Sequence, residues 1–347
     1  MILSDPYMHR CLQLAASAAG NVAPNPMVGA LLLHDEIIIG EGYHKKYGQA
    51  HAEVECINSV SASDKHLISE ATMYVSLEPC AHFGKTPPCA DLIIKNKIRK
   101  VVIGCRDPFT EVNGKGIAKL EAAGIEVIKD VLKDECIELN KRFFTFHQKQ
   151  RPYIILKWAQ TADGKISGET EQRLKISNEF SNRLVHKWRA EEAAIMAGTN
   201  TALMDNPSLA TRLWAGNNPV RVILDLNLRL PQNLEVFTDG GKTIVINKQK
   251  NENAGPVSYI KIEAGDLAAS ICTALYKLNI QSVMIEGGSR LLQTFIDAGY
   301  WDEARLISNI SLFAGNGLTA PALKNAHLIK EQRFQNDLVS FYTKNQE

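Results

Sequence analysis

The sequence predicts two α/β domains that follow one another along the chain. At 347 residues the chain exceeds what most single hydrophobic cores hold. Apolar runs of strand length alternate with segments of helical periodicity in both halves. The polar segment QKQRP at 148–152 ends in proline and separates the two alternations. We therefore predict an N-terminal domain over residues 1–147 and a C-terminal domain over residues 151–347.

The N-terminal half alternates helix and strand signals, and a sheet with helices on both faces is the economical packing of such a pattern. Ser4 and Gly20 suit the cap and the stop of a first helix. The other predicted elements are, in order, strands MVGALLL and EIIIGEGY, a helix from His51, a strand TMYVSLE, a helix from about Cys89, a strand KVVIGC, a helix from Gly116 to Gly124, a strand GIEVI and a helix KDECIELNKRFFTFH.

The C-terminal half begins a second alternation with the strand YIILKWA. Later predicted strands are PVRVILD, KTIVIN and SVMIEGG, and predicted helices lie at about 179–192, 266–278 and 288–298. No Gly-x-Gly-x-x-Gly motif follows the first strand, so the fingerprint of a standard Rossmann domain is absent.

Composition and charge are those of an ordinary globular protein, with 45% hydrophobic and 22% charged residues and a net charge of +1. The balanced charge argues against nucleic acid as the main partner. The N-terminus lacks the basic-then-apolar layout of a signal peptide, and no apolar run approaches about 18 residues. The seven cysteines are odd in number and irregularly spaced. We therefore expect a reduced, cytoplasmic protein without a membrane partner.

The strongest chemical pattern joins the segment HAEVECI to the segment SLEPCAHFGKTPPC. His51, Cys80 and Cys89 offer one imidazole and two thiolates, a set that suits zinc and leaves one coordination position for water. Zinc lowers the pKa of that water towards neutrality. Glu53 can then move protons between the water and a leaving amine. A His-x-Glu element followed by Pro-Cys and a second cysteine is the pattern of zinc deaminases.

Each part of this pattern, taken alone, is too common to indicate a metal site. A His-x-Glu pair is usually the polar start of a surface helix, and a single Pro-Cys carries no more information. The combination is different, because His-x-Glu opens a predicted helix and the second Pro-Cys opens another. Eight residues separate Cys80 from Cys89, where the usual zinc deaminase pattern has two.

Three segments, PNPMVGA, HAEVECI and SLEPCAHFGKTPPCADLI, resemble the N-terminal half of the bifunctional riboflavin-biosynthesis deaminase/reductase family. The long Cys–Cys spacing with HFGKTPPC distinguishes that family from cytidine, guanine and tRNA-adenosine deaminases. The resemblance implies a cytidine-deaminase-like three-layer α/β/α domain with bound Zn2+. It further implies that the pyrimidine and its ribose phosphate are held by Asn25, His44, His82 and Lys85.

The loop after the strand KVVIGC departs from the family pattern. Family members usually carry Asp-Pro-Asn-Pro there, whereas this chain has DPFTEVNGKG. Asp107, Asn113 and Gly116 are the residues of this loop that could contact the substrate.

In the second half, VMIEGGSRLLQ places two glycines and Ser289 between a strand and a helix, where exposed amides can hold a phosphate. Gly-Gly-Ser is also a routine cap and turn. YIILKWAQTADGKI and GTNTALMDNPSLATR resemble the reductase half of the same family, whose relatives include dihydrofolate reductase. The resemblance extends from about residue 4 to about residue 315 and implies a dihydrofolate-reductase-like α/β domain that uses NADPH.

The resemblance also implies residue roles in this reductase half. Lys157, Asp205 and Glu286 would line the reacting centre, and Arg189 and Arg212 would hold the substrate phosphate through their planar donor forks. Leu209 and Glu286 would complete the substrate site. NADPH would contact Gln160, Thr201, Asp205, Gly287, Gly288, Ser289 and Arg290. A further departure is Lys175, which stands near the place where family members tend to carry a tryptophan.

The leading hypothesis is a bifunctional enzyme that acts on a small phosphoribosyl-pyrimidine, with zinc-dependent deamination first and NADPH reduction of the sugar second. We expect it to be a homo-oligomer. An alternative is a nucleic-acid-editing deaminase, which predicts a basic second domain with aromatic platforms that residues 153–347 do not show. A second alternative is a chain with one active half and one structural half.

Overall fold

The computed structural model describes residues 5–83, 87–110, 112–169 and 174–345. The chain divides into two compact units, Met1–Lys149 and Gln150–Glu347. Both units are mixed α/β, as predicted. Among the described residues, no helix is long and apolar enough to cross a membrane.

The first unit is built on a five-stranded sheet with the order β2-β1-β3-β4-β5. Strands β1 and β2, and β1 and β3, are antiparallel, whereas β3, β4 and β5 are parallel. Its elements are α1 (Pro6–Ala16), β1 (Gly29–His34), β2 (Ile37–Tyr43), α2 (Ala52–Ser59), a short 3-10 helix (Lys65–Leu67), β3 (Thr72–Leu77), α3 (Cys89–Lys95), β4 (Lys100–Cys105), α4 (Lys115–Ala122), β5 (Glu126–Ile128), α5 (Lys133–Leu139) and α6 (Lys141–Lys149).

Helix α2 packs so closely on β2 that glycine is required at the contact. A Cβ added to Gly40 would lie 2.7 Å from the Cys56 carbonyl oxygen, and one added to Gly42 would lie 2.4 Å from the Cys56 nitrogen. Side chains at these two positions would push α2 away from the sheet. The start of α2, where His51 and Glu53 lie, is therefore positioned by the glycines of a neighbouring strand.

Two boundaries in this unit differ from the sequence prediction. The first helix is capped by Asp5, whose carboxylate accepts hydrogen bonds from the amides of Tyr7 and Met8. The predicted cap, Ser4, lies outside the described residues. The predicted helix over 133–147 is two helices, α5 and α6, which meet at Asn140. The Asn140 amide exchanges two hydrogen bonds of 2.8 Å with the main chain of Met27, so its side chain braces the loop before β1.

The second unit is built on a ten-stranded sheet with the order β10-β11-β9-β8-β7-β12-β6-β13-β15-β14. Its elements are β6 (Tyr153–Gln160), α7 (Glu179–Glu191), β7 (Ala194–Gly198), α8 (Thr199–Asp205), β8 (Val220–Leu224), α9 (Glu235–Thr238), β9 (Thr243–Asn247), β10 (Glu252–Ala254), β11 (Val257–Lys261), α10 (Leu267–Lys277), β12 (Ser282–Ile285), α11 (Ser289–Asp297), β13 (Glu303–Asn309), β14 (Ala326–Phe334) and β15 (Asp337–Lys344).

The centre of this sheet is parallel, and the carboxyl ends of its strands share one edge. Strand β12 lies between β6 and β7 and is parallel to both, and β8 and β9 continue the parallel set. The strands are nearly continuous runs of buried apolar residues, as expected where both faces are covered. Loops that leave β6, β7, β8 and β12 therefore meet at the same edge, where ligands of such sheets bind.

Candidate active sites

In the first unit, the three predicted metal ligands come together. The His51 Nδ1 atom lies 3.6 Å from the Cys80 sulfur and 3.3 Å from the Cys89 sulfur. One donor atom from each of the three residues lies within 4.8 Å of the other two. His51 precedes the first residue of α2, Cys80 follows β3, and Cys89 begins α3. One nitrogen and two sulfurs at this separation fit zinc, with a position left for water.

The two thiols differ because they share a proton. The hydrogen bond from the Cys89 thiol, together with the one involving His51, lowers the pKa of Cys80 well below its ordinary value. The same interaction and burial raise the pKa of Cys89. The Cys89 amide also donates to the Cys80 sulfur at 3.3 Å, which favours the thiolate. The site therefore carries a thiolate, the form of cysteine that binds metals.

Glu53 lies beside this cluster on the buried side of α2. It is 3% exposed, and burial raises the pKa of its carboxyl group. The ion pairs of the described residues do not include Glu53. A buried carboxyl group with a raised pKa can accept and return a proton near neutral pH.

Asn25 and His44 form the polar wall next to His51. The His44 Nδ1 atom lies 2.9 Å from the Ala50 carbonyl oxygen, which can only accept a hydrogen bond, so Nδ1 carries the proton. Its Nε2 atom therefore accepts from the Asn25 amide at 3.1 Å. Burial lowers the pKa of His44 and keeps the ring neutral. The rings of His44 and His51 are 5.5 Å apart, in an edge-on arrangement.

The other predicted substrate residues of this unit are less enclosed. His82 is exposed and lies with its ring 6.1 Å from the ring of Phe109. Lys85 lies outside the described residues. Asp107 is buried, which raises the pKa of its carboxyl group to about 7.

Glu78 is a residue of this site that the sequence analysis missed. It is 4% exposed, and its two carboxylate oxygens accept four main-chain hydrogen bonds of 2.9 to 3.2 Å, from the amides of Asp107, Gly114, Gly116 and Ile117. Glu78 therefore fixes the loop that carries Asp107 and the start of α4. The only sequence signal was a glutamate at the carboxyl end of a buried strand.

We expect Glu78→Gln to destabilise the first unit by about 2 kcal/mol. The substitution replaces one acceptor oxygen with an NH2 group, which faces two buried amides that then have no acceptor. The midpoint of thermal loss of ammonia release measures this effect. Glu70→Gln, at an exposed carboxylate, is the control and should leave the midpoint unchanged; equal midpoints for both variants would contradict the assigned role.

The second unit contains a cavity of about 1130 Å³ at the carboxyl edge of its sheet. Gln160 and Leu209 are not among its lining residues. The Gln160 side chain accepts a hydrogen bond from the indole of Trp158, and Leu209 is buried in the core. The predicted site residues that do line the cavity are Lys157, Arg189, Thr201, Asp205, Arg212, Glu286, Gly287, Gly288, Ser289 and Arg290.

A buried charge cluster forms one wall of this cavity. The Arg189 guanidinium donates to both oxygens of Glu286, at 2.8 and 2.7 Å, and to the Ala210 carbonyl oxygen at 3.1 Å. The Lys157 ammonium lies 3.9 Å from Glu286. Burial alone would raise the pKa of the Glu286 carboxyl group, but the charges of Arg189 and Lys157 overcome it and lower the pKa to about 2. Three of the five N–H groups of Arg189 are used, which leaves two for a ligand.

The loop between β12 and α11 is shaped by its glycines. A Cβ added to Gly287 would lie 2.8 Å from the Thr201 side chain, and Gly288 has a φ of +80°, which favours glycine. The main chain can therefore approach α8 closely. Ser289 begins α11, and Gly288, Ser289 and Arg290 line the cavity at this helix start, where a phosphate can bind.

His186 is a cavity residue that the sequence analysis did not identify. It lies on α7 one turn before Arg189 and is 6% exposed. Its Nδ1 atom accepts a hydrogen bond of 2.9 Å from the main-chain amide of Arg212.

Comparisons with known proteins match both units. Residues 2–105 match the family described as cytidine and deoxycytidylate deaminase zinc-binding region, and residues 152–337 match the RibD C-terminal domain. The chain is 38% identical to the riboflavin biosynthesis protein RibD of Aquifex aeolicus, over 97% of each chain.

Solved structures of full-length relatives have the same fold. The diaminohydroxyphosphoribosylaminopyrimidine deaminase/5-amino-6-(5-phosphoribosylamino)uracil reductase of Thermotoga maritima is 35% identical, with a TM-score of 0.89 over 98% of each chain. RibD of Acinetobacter baumannii is 29% identical, with a TM-score of 0.90 over 98% of each chain. The expected cytidine-deaminase-like and dihydrofolate-reductase-like folds are thereby confirmed. The chain belongs to the RibD family of riboflavin biosynthesis proteins.

Proposed function

We propose that the chain is a bifunctional enzyme of riboflavin biosynthesis. Its first unit deaminates 2,5-diamino-6-(5-phosphoribosylamino)pyrimidin-4(3H)-one, and its second unit reduces the product with NADPH to 5-amino-6-(5-phosphoribitylamino)uracil. The observation that carries this proposal is a His51–Cys80–Cys89 cluster with Glu53 beside it, in the same chain as a charged cavity at a sheet edge.

In the deaminase unit, His51, Cys80 and Cys89 would hold zinc, which supplies hydroxide near neutral pH when bound. Glu53 takes up a proton from the attacking water and delivers it to the leaving amine, so that ammonia departs as a neutral molecule. Neutral His44 holds the Asn25 amide in place, and the oxygen and second N–H of that amide would hydrogen-bond the pyrimidine. The family resemblance assigns the ribose phosphate to His82 and Lys85, which lie between the two cysteines in the sequence.

In the reductase unit, NADPH supplies hydride when bound. Gly287, Gly288 and Ser289, with the Thr201 side chain beside them, form the loop that would bind its phosphates. Lys157 and Glu286 line the reacting centre, where the former anomeric carbon of the opened sugar would lie. Arg212 and the two remaining N–H groups of Arg189 hold the substrate phosphate.

The metal assignment is tested on the purified chain. We expect one zinc per chain by elemental analysis and ammonia release from the diamino substrate without NADPH. A chelator should stop ammonia release, whereas the NADPH-dependent reduction of deaminated substrate should continue, because the reductase unit needs no metal. Ammonia release that survives complete removal of the metal would refute the zinc mechanism.

We also propose that the enzyme acts in the cytoplasm, without nucleic acid, as a homo-oligomer. All seven cysteines are free, as expected in a reducing compartment. The edge strand β14 exposes Leu328 and Ile329, which suits a self-association surface. Sedimentation velocity of the purified chain measures the oligomeric state.

A further inference from the structure

The loop from Asn206 to Pro219, which carries Arg212, contains no helix or strand. Asn206 and Leu209 both adopt positive φ angles within it, 38° and 53°. Such a loop depends on specific contacts to hold one conformation, because it lacks the hydrogen bonds of regular structure. The position of the Arg212 side chain at the cavity therefore depends on what fixes its main chain.

Two hydrogen bonds tie this loop to the cavity face of α7. Arg189 donates to the Ala210 carbonyl oxygen at 3.1 Å, and the Arg212 amide donates to the Nδ1 atom of His186 at 2.9 Å. His186 and Arg189 are three residues apart, so they lie on the same face of the helix. His186 thus holds the main chain of Arg212. The Arg212 guanidinium itself lines the cavity and has no hydrogen bond or ion pair with any other residue that the structure describes.

The acceptor role of His186 requires a neutral ring. An amide can only donate, so Nδ1 must present its lone pair and the ring proton must lie on Nε2. Burial lowers the pKa of His186 to about 4, and the charges of Arg189, Arg212 and Lys157 add to this effect against the opposing charge of Glu286. The ring is therefore neutral near pH 7.

We propose that His186 is a positioning residue that fixes the Arg212 main chain so that the Arg212 guanidinium meets the substrate phosphate. This inference rests on the proposed reductase function. His186 then contributes to the binding of the substrate phosphate, and it contributes nothing to the binding of NADPH or of the pyrimidine ring.

The test compares three substitutions in the full-length chain. Asn at position 186 can place its amide oxygen where Nδ1 lies, Gln places its amide nearer the Nε2 position, and Leu offers no acceptor. We expect His186→Leu and His186→Gln to raise KM for deaminated substrate about tenfold, the effect of losing one hydrogen bond. His186→Asn should keep KM within about twofold of wild type.

The same variants are assayed with the deaminated substrate that lacks its phosphate. Its KM should be equal in wild type and in His186→Leu, and the Kd of NADPH should also be unchanged. Lys187→Gln, which alters a partly exposed ion pair on the same helix, is the matched control and should change none of these values. If His186→Leu fails to bind NADPH, the comparison of the Asn and Gln variants decides, because both keep a polar side chain.

A double-mutant cycle completes the test. If His186 acts through Arg212, His186→Leu adds no further loss to Arg212→Ala. Additive effects, or an equal rise in KM for the phosphorylated and unphosphorylated substrates, would overturn the positioning role. A wild-type chain that oxidises no NADPH with deaminated substrate would instead refute the proposed function itself.

Discussion

Glu53→Gln is expected to lower the rate of ammonia release about a thousandfold while the reduction of deaminated substrate continues at the wild-type rate. Glu53 is 3% exposed beside the His51–Cys80–Cys89 cluster, and burial raises the pKa of its carboxyl group. Gln keeps the shape of the side chain but cannot carry a proton, and general acid–base catalysis contributes about 10² to 10⁴ in rate. Ammonia release and NADPH oxidation are measured separately on the same preparation.

Glu55→Gln is the matched control for this prediction. Glu55 lies two residues further along the same helix and pairs with Lys45 on the outside of the unit. Its loss should leave ammonia release within about twofold of wild type. The zinc content of Glu53→Gln should equal that of wild type; loss of metal in this variant, or retention of most of the rate, would show that Glu53 is not the proton carrier.

Glu286→Gln should have the second large effect, on both the stability and the activity of the reductase unit. The substitution removes the carboxylate that binds the buried Arg189 guanidinium at 2.8 and 2.7 Å and lies 3.9 Å from the Lys157 ammonium. Removing one member of a buried ion pair destabilises a protein by about 3–5 kcal/mol. We expect a loss of this size in the free energy of unfolding of the second unit, together with loss of NADPH oxidation.

Tryptophan fluorescence measures this unfolding selectively, because all four tryptophans, Trp158, Trp188, Trp214 and Trp301, lie in the second unit. Glu252→Gln removes a carboxylate from an exposed ion pair and should cost less than about 1 kcal/mol. An equal loss of unfolding free energy in both variants would contradict the role of Glu286 as a buried counter-ion.

The pH dependence of the unfolding of the second unit provides an independent check of the Glu286 ion pairs. The pKa of Glu286 is lowered to about 2 in the folded chain, from an ordinary value of 4.5. A carboxyl group whose pKa is lowered on folding contributes stability above its ordinary pKa, and that stability is lost as the pH falls towards about 2. Between pH 4.5 and 2, wild type should therefore lose more stability than Glu286→Gln.

The metal site could be predicted from sequence because its chemistry depends on side-chain types at fixed motif positions. His51, Cys80 and Cys89 are distinctive together, and the structure brings their donor atoms within 4.8 Å of one another. Glu78 and His186 could not be found in this way, because both act on main-chain amides. Every residue except proline has a main-chain amide, so the sequence does not indicate which amides will bind these two side chains. Those partners are known only from the folded structure.

The α/β class was predictable, but much of the second sheet was not. Strand β7 is a short run, AIMAG, that directly joins two helices, and a helix and a buried strand of this length have similar apolar patterns. Strand β14 is exposed along most of its length, so it lacks the alternation that indicates a half-buried strand. The predicted helix over 133–147 failed at Asn140, whose bonds to Met27 are long-range. In each case tertiary contacts outweigh the local pattern.

The most direct test of the bifunctional assignment is one progress curve with the purified chain, the diamino substrate and NADPH. Ammonia and NADPH are followed together. The account predicts that ammonia appears first, that NADPH oxidation follows after a lag, and that each substrate molecule yields one ammonia and consumes one NADPH. Omitting NADPH should leave the ammonia curve unchanged. NADPH oxidation that precedes ammonia release, or ammonia release that requires NADPH, would contradict two sequential reactions at two separate sites.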